Sequence, residues 1–286
     1  MLALLITRIV LITLALAASV AVAGCGGGEA GAGGRTTVVA GFYPLAFAAE
    51  EVGRGSVEVV NLTPAGAEPH DVELSVRDVE RVRSSDLVLY VGGGFQPALE
   101  DAVASSDVRA VDVLEGLDVR DGDPHVWLDP LRLAAIADRI GVELGREAAA
   151  RRLSARLREL DHELRDGLAD CRRRELVTAH DAFGYLVERY GLEAIAVTGI
   201  APEAEPNARD LERVAQLVRE RGVTTVFVEP LLAPDVGETL ARETGAETAV
   251  LDPLEGLTED ALERGDDYFS VMRANLAALR EGLECP

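Results

Sequence analysis

The sequence predicts an α/β protein of two similar lobes, each a parallel sheet flanked by helices, joined by one long rigid linker helix. Three observations predict it. Short, nearly all-apolar, β-branched runs alternate with amphipathic stretches, the pattern of a parallel sheet covered on both faces. That order of elements occurs twice along the chain. Between the two rounds lies an extended stretch with helical periodicity and no internal proline.

The N-terminus is set aside first. Met1 to Gly24 carries one early basic residue, Arg8, then the apolar run "IVLITLALAASVAVA". This reads as a secretory signal peptide. It ends in "VAGC", which looks like a bacterial lipobox, with Cys25 as the lipidated residue. The Gly-rich segment 25–35 cannot pack a core and reads as a flexible tether of roughly 20–30 Å reach. Beyond the signal, no second segment is long and apolar enough to span a bilayer. The protein is expected to be exported and anchored to the outer face of the cell membrane as a lipoprotein.

Residues 36–129 form the predicted N-terminal lobe. Its strands are "TTVVAGF", "VEVVNL", "LVLYVG" and "RAVDV". Residues 130–170 form the predicted linker helix. Apolar residues recur there at three- and four-residue steps, through Leu133, Ile136, Ile140 and Leu144, then Leu153, Leu157, Leu160, Leu164 and Leu168. Asp129-Pro130 is a good helix start. A continuous helix here would be roughly 55–60 Å long, with Gly141 and Gly145 as points where it could kink.

Residues 171–286 form the predicted C-terminal lobe, and it echoes the first. "ELVTAHDAFGYLVERYGLEAIAVTG" follows the same order as "TVVAGFYPLAFAAEEVGRGSVEVVNLTP". The cores "RDVERV" (Arg77–Val82) and "RDLERV" (Arg209–Val214) differ by one aliphatic swap. Four elements echoing in one order point to internal duplication. Cys171 and Cys285 would form a disulfide in an oxidising compartment. Its loop of more than a hundred residues corresponds to about 4–5 kcal/mol in the chain-entropy model.

The net charge is −22, which argues against nucleic acid as a partner, since its phosphates would be repelled. There is no lysine, and the chain has only four histidines. In parallel α/β sheets, ligands bind beyond the carboxyl ends of strands. His70 follows the strand ending near Leu62. His180 directly follows "ELVTA", and Asp252 follows "TAVL". His125 sits between the last strand of the first lobe and the long helix. Three imidazoles and one carboxylate, two residues from each lobe, form a four-coordinate set suited to Zn²⁺ in the cleft. Other late first-row metals and Mn²⁺ remain open on ligand chemistry alone. His162, mid-helix in "ELDHELRD", reads as a solvated face. Glu229, ending "VFVE", is a second carboxylate that could face the cleft, as an outer partner or a spare ligand. Glu68, beside His70, could orient its ring, as outer carboxylates do.

The segments "GAEPHDVE", "DPHVWLDP", "TAHDAFGYLVERYGL", "APEAEPNARDLERV" and "VFVEPL" resemble those of the zinc/manganese-type solute-binding proteins of ABC importers. The resemblance covers nearly all of the mature chain. It implies metal ligands at His70, His125, His180 and Asp252, the acid after the last strand. Manganese-type members usually carry Glu at the third position, so His180 argues for zinc, with a Mn²⁺-specific protein as the alternative. The resemblance implies an ABC permease and its ATPase as partners, a monomer, limited lobe motion, and no enzyme. Many zinc members carry a His- and acid-rich loop before the second ligand. Here "LEGLDVRDGDPH" is short, and Asp118, Asp121 and Asp123 offer weak cation attraction at most.

The leading expectation is capture of Zn²⁺ outside the cell and delivery to the importer. A zinc hydrolase would need an open coordination position, and Glu229 is its only obvious base. An adhesin, or a binder of a different ligand such as a siderophore, also ranks low. With histidine pKa values near 6.5, metal affinity should fall below about pH 6.

Overall fold

A computed structural model describes residues 35–120, 122–200 and 207–286. The signal peptide, Cys25 and the tether as far as Gly34 lie outside the described residues. No helix among those described is long and apolar enough to cross a membrane.

The two predicted sheets are present, with one topology. In the first, β1 (Thr36–Ala40), β2 (Val57–Asn61), β3 (Leu87–Tyr90) and β4 (Ala110–Asp112) lie in the order β2-β1-β3-β4. In the second, β5 (Glu175–Thr178), β6 (Glu193–Ala196), β7 (Thr225–Val228) and β8 (Glu247–Val250) lie in the order β6-β5-β7-β8. All pairings are parallel. Helices supply the crossovers: α1 (Tyr43–Gly53), α2 (Val76–Ser84) and α3 (Pro97–Ala104) in the first round. In the second, α6 (Gly184–Tyr190), α7 (Ala208–Arg221) and α8 (Asp235–Thr244) take their places. The sequence echo falls on α2 and α7, which both join the second strand of a sheet to its third. Ser75 caps α2 in a capping box, and Asn207 caps α7 through Arg209 and Asp210.

The linker is not one rod. α4 (Pro130–Leu144) ends at Gly145, which takes the left-handed conformation with φ +63°, and α5 (Glu147–Leu168) turns back along it. Asp129 caps α4 by accepting from the Leu131 N–H at 2.8 Å. Ser154 Oγ donates to the Ala134 carbonyl across the hairpin. Gly141 is no kink: a Cβ there would meet the Ala150 Cβ at 2.5 Å, so its bare backbone lets the two helices touch. The apolar periodicity was the same for a rod and a hairpin, because both bury one stripe. α5 alone, 22 residues and about 33 Å long, packs against α1 of the first lobe and α10 (Tyr268–Gly282) of the second.

One core runs through both lobes. It includes Phe42, Leu89, Trp127, Leu157, Tyr185, Phe227 and Tyr268. Trp127 sits at the seam, fully buried, its ring edge-on to Phe42 at 4.6 Å between centroids. Its indole N–H donates to the Pro253 carbonyl at 2.8 Å, and its own carbonyl accepts from Tyr268 Oη at 2.7 Å. A seam packed like an interior resists hinge opening far more than a wet, polar inter-domain contact. Cys171 and Cys285 form a disulfide that fastens the C-terminus beside the start of β5.

Candidate metal centre

Four loops at the carboxyl ends of the sheets converge between the lobes. His70 lies in a 3₁₀ turn, Pro69–Asp71, beyond β2; His125 precedes the turn Val126–Leu128. His180 follows β5, and Glu255 lies beyond β8. One donor atom from each of His70, His125, His180 and Glu255 lies within 4.8 Å of the others. All three Nε2 atoms face Glu255 Oε1, at 3.2 Å from His70, 3.0 Å from His125 and 3.5 Å from His180. A tetrahedral ion with bonds near 2.0–2.2 Å needs donors about 3.3–3.6 Å apart. The three ring-to-carboxylate distances already lie within about 0.3 Å of that range, and only the wider donor pairs would have to close around an ion.

The three histidines are where the strand ends placed them, but the acid is different. Asp252 does not join the group. Its Oδ1 accepts from the Leu254 N–H at 2.7 Å, an Asx turn closed on its own loop. Asn275 of α10 holds its backbone at both ends, accepting from the Asp252 N–H at 2.9 Å and donating to its carbonyl at 2.7 Å. Asp252 instead lines a separate cavity of about 610 Å³ between β8, α9 (Glu259–Arg264) and α10. Burial pushes its carboxyl up to about 7. The chain then turns through Leu254 at φ +56°, a left-handed conformation that costs a bulky residue energy, and delivers Glu255 to the rings. The second acid of "DPLE" was visible in the sequence. The turn that chooses between the two acids was not.

Two carboxylates stand behind two of the rings. Asp123 Oδ1 accepts from both the backbone N–H of His125 at 3.0 Å and its Nδ1 at 2.9 Å. Glu229 Oε1 accepts from the backbone N–H of His180 at 3.2 Å, and Oε2 lies 2.6 Å from its Nδ1. With Nδ1 bonded to Asp123 in His125 and facing Glu229 in His180, each ring presents Nε2 to the centre. Asp123 is itself enclosed by the second lobe. Its carbonyl accepts from Tyr185 Oη at 2.8 Å, and a Cβ on Gly184 would meet its Oδ2 at 2.5 Å. Glu68 stands elsewhere than expected. It lies against Glu255 rather than behind the His70 ring, and burial together with the Glu255 charge pushes it up to about 9.

The electrostatics describe a cavity built around positive charge. Burial opposes charging of His180, but Glu229 and Glu255 outweigh it and raise its pKa to about 10. Burial likewise opposes charging of His125, yet Asp123 and Glu255 leave it raised. Burial also works against ionisation of Glu255, but the three rings hold it well below the usual carboxylate range. Both oxygens of Glu68 and the second oxygen of Glu255 are buried without a hydrogen-bond partner among the described residues. Buried acceptors left unpaired are costly and call for a missing partner. A divalent cation displacing the ring protons would meet that demand.

The family described as zinc-uptake complex component A, periplasmic (ZnuA), matches residues 38–282. The chain belongs to this family. It is 32% identical to the zinc-binding protein AdcA of Streptococcus pyogenes serotype M1, over 86% of this chain and 56% of that protein. It therefore spans little more than half of the AdcA sequence. It is 28% identical to the high-affinity zinc uptake system protein ZnuA of Bacillus subtilis, over 92% of this chain and 93% of that one. Its fold is similar to the Zn(II)-bound ZnuA-like domain of Streptococcus pneumoniae AdcA, with a TM-score of 0.76 and 30% identity over 88% of this chain and all of that one. ZnuA-family membership accounts for the paired sheets and the two lobes.

Proposed function

We propose that this protein captures Zn²⁺ outside the cytoplasm and delivers it to an ABC importer. The observation that carries the reading is the buried group His70, His125, His180 and Glu255, with donors within 4.8 Å of one another. Three imidazoles and a carboxylate suit zinc, whose preferred ligands are nitrogen, sulfur and oxygen in a tetrahedron. Manganese favours harder, oxygen-rich sites. His180 places a third nitrogen where a second carboxylate would favour manganese. The related ZnuA and AdcA proteins are named for zinc.

The ion is cargo, and four protein donors leave no open position for an activated water. Glu229, the one obvious base, is committed to His180. We therefore read the protein as a carrier rather than a hydrolase. The signal peptide over 1–24, lipidation of Cys25 and the tether over 25–35 would hold a monomer at the outer membrane face, within reach of a permease and its ATPase. The family's role in zinc uptake supports that partnership.

Native mass spectrometry with elemental analysis of protein purified without added metal tests the reading. One zinc per chain is expected, lost in His180→Ala. Stoichiometric manganese, or undiminished zinc in the variant, would overturn it.

A further inference from the structure

The two sheets end differently at their fourth strands. Each of these strands is an edge with a single neighbour. In the first lobe β4 is three residues long, and its outward Asp112 carbonyl accepts from Arg139 Nη1 of α4 at 2.8 Å. In the second lobe the N–H groups of Glu247 and Leu251 donate back to Thr224 and Val228, at 2.8 and 2.9 Å. Alternation along β8 therefore turns the N–H and C=O groups of Thr248 and Val250 away from β7. Among the described residues nothing pairs with those four groups. No residue of β8 is buried. Val250, 57% exposed, is one of four large apolar side chains left in the open among the described residues. An edge of this kind is a ready template for another strand.

The whole of β8 also walls the cavity of about 610 Å³ that Asp252 lines. The two faces of the strand differ. A Cβ on Gly282, at the end of α10, would meet the side chains of Phe227 and Thr225. These two pair in register with Ala249 and Glu247. Glu247 and Ala249 therefore share the face that α10 covers, and Glu281 of α10 lines the same cavity. The one basic residue among the described walls, Arg264, is already paired with Asp266 at 2.8 Å. Glu247 and Glu281 are left facing no cation there. The opposite face of β8 carries Thr248 and Val250, in register with Val226 and Val228. It is the apolar side of the edge.

We propose that β8 is a docking edge for an extended, basic segment of another protein, which adds to the second sheet as a fifth strand. The backbone of the segment pairs with Thr248 and Val250. Its side chains alternate, so one set places cations toward Glu247 and Glu281 and the other places apolar groups beside Val250. A second copy of this chain fits less well, because its own β8 would bring Glu247 and Glu281 against their like. The edge lies outside the metal centre, and the inference does not depend on which ion is carried.

Fluorescence anisotropy with a labelled peptide amide of sequence Arg-Val-Arg-Val-Arg tests it. Saturable binding is expected, and it should vanish when the central peptide nitrogens are methylated or when Glu replaces Arg. Val250→Pro removes an outward N–H and leaves the ladder to β7 intact; it should weaken binding about tenfold. Glu281→Arg, at an exposed position, should weaken it about fivefold. Far-UV circular dichroism shows whether each variant folds. No saturable binding by the parent, equal binding of the methylated peptide, or undiminished binding by either folded variant would overturn the docking edge. Concentration-dependent dimers in sedimentation, abolished by Val250→Pro, would overturn the basic partner in favour of a second copy.

Discussion

The two lobes share a strand order but differ in how they reach the centre. In the first lobe the candidate ligands come from beyond the second strand (His70) and well beyond the fourth (His125). In the second they come from directly after the first strand (His180) and shortly after the fourth (Glu255). The duplication therefore supplied a frame of two sheets with loops facing one gap. It did not supply a symmetric set of ligands. Helix and strand positions are shared because they carry the packing, whereas loops can change without cost to the core. The second lobe also contains both ends of the disulfide, so it is the more constrained partner.

The largest effect should come from the ligands themselves. Glu255→Gln removes the charge that three rings share, and zinc affinity by competition titration should fall beyond the roughly 10–100-fold typical of outer partners. An unchanged affinity would break the assignment of the second lobe's acid.

Next comes stability. Cys171 and Cys285 are 114 residues apart, and losing the bridge through Cys285→Ser should cost about 2–5 kcal/mol in urea unfolding. The loss should concentrate in the second lobe. Hydrogen exchange spread evenly over both sheets would show that they unfold as one body.

The outer carboxylates sharpen the contrast between rings. Asp123→Asn and Glu229→Gln should each weaken zinc about 10–100-fold, by releasing His125 and His180 from a fixed orientation. Equal loss from Asp71→Asn, beside His70, would show that the third ring is restrained as well.

Protons compete with the ion at these rings. Glu229 and Glu255 raise His180 to about 10, so this ring is charged at neutral pH, and Asp123 and Glu255 shift His125 in the same direction. Each proton displaced makes affinity rise about tenfold per pH unit. Affinity should therefore climb from pH 6 to pH 8, rather than level off above pH 6 as ordinary histidines would have it. A flat profile over that range would remove the charged rings from the description.

Much of this was legible in the chain. The β-branched runs located all eight strands, and the histidines at strand ends located three donors, because strand direction alone decides which loops face the gap. The fourth donor depended on contacts distant in sequence. Trp127 reaches Pro253 across 126 residues, and Asn275 reaches Asp252 across 23. Only with those pins in place does Leu254 turn and bring Glu255 inward. The linker failed for a local reason. Gly145 serves equally as a kink or a C-cap, and what decides is whether α4 finds a partner in α5.

The smallest effect separates the two acids of that loop. The Asp252 carboxyl titrates near 7 in the folded chain, because burial favours its neutral form, against 3.8 for the free group. Below about pH 4 both folded and unfolded chains carry it protonated, and it costs nothing. As pH rises toward 7 the unfolded chain ionises freely while the folded chain resists, so stability is lost and the loss is complete above 7. The shift sets an upper bound of about 4 kcal/mol, and partial hydration from the adjoining cavity should leave about 1–2 kcal/mol. Asp252→Asn keeps the acceptor for the Leu254 N–H and removes the charge. It should match the parent at pH 3 and exceed it at pH 8 in thermal or urea unfolding, with zinc affinity within about twofold. A loss of affinity comparable to that of Glu255→Gln would return Asp252 to the ligand set.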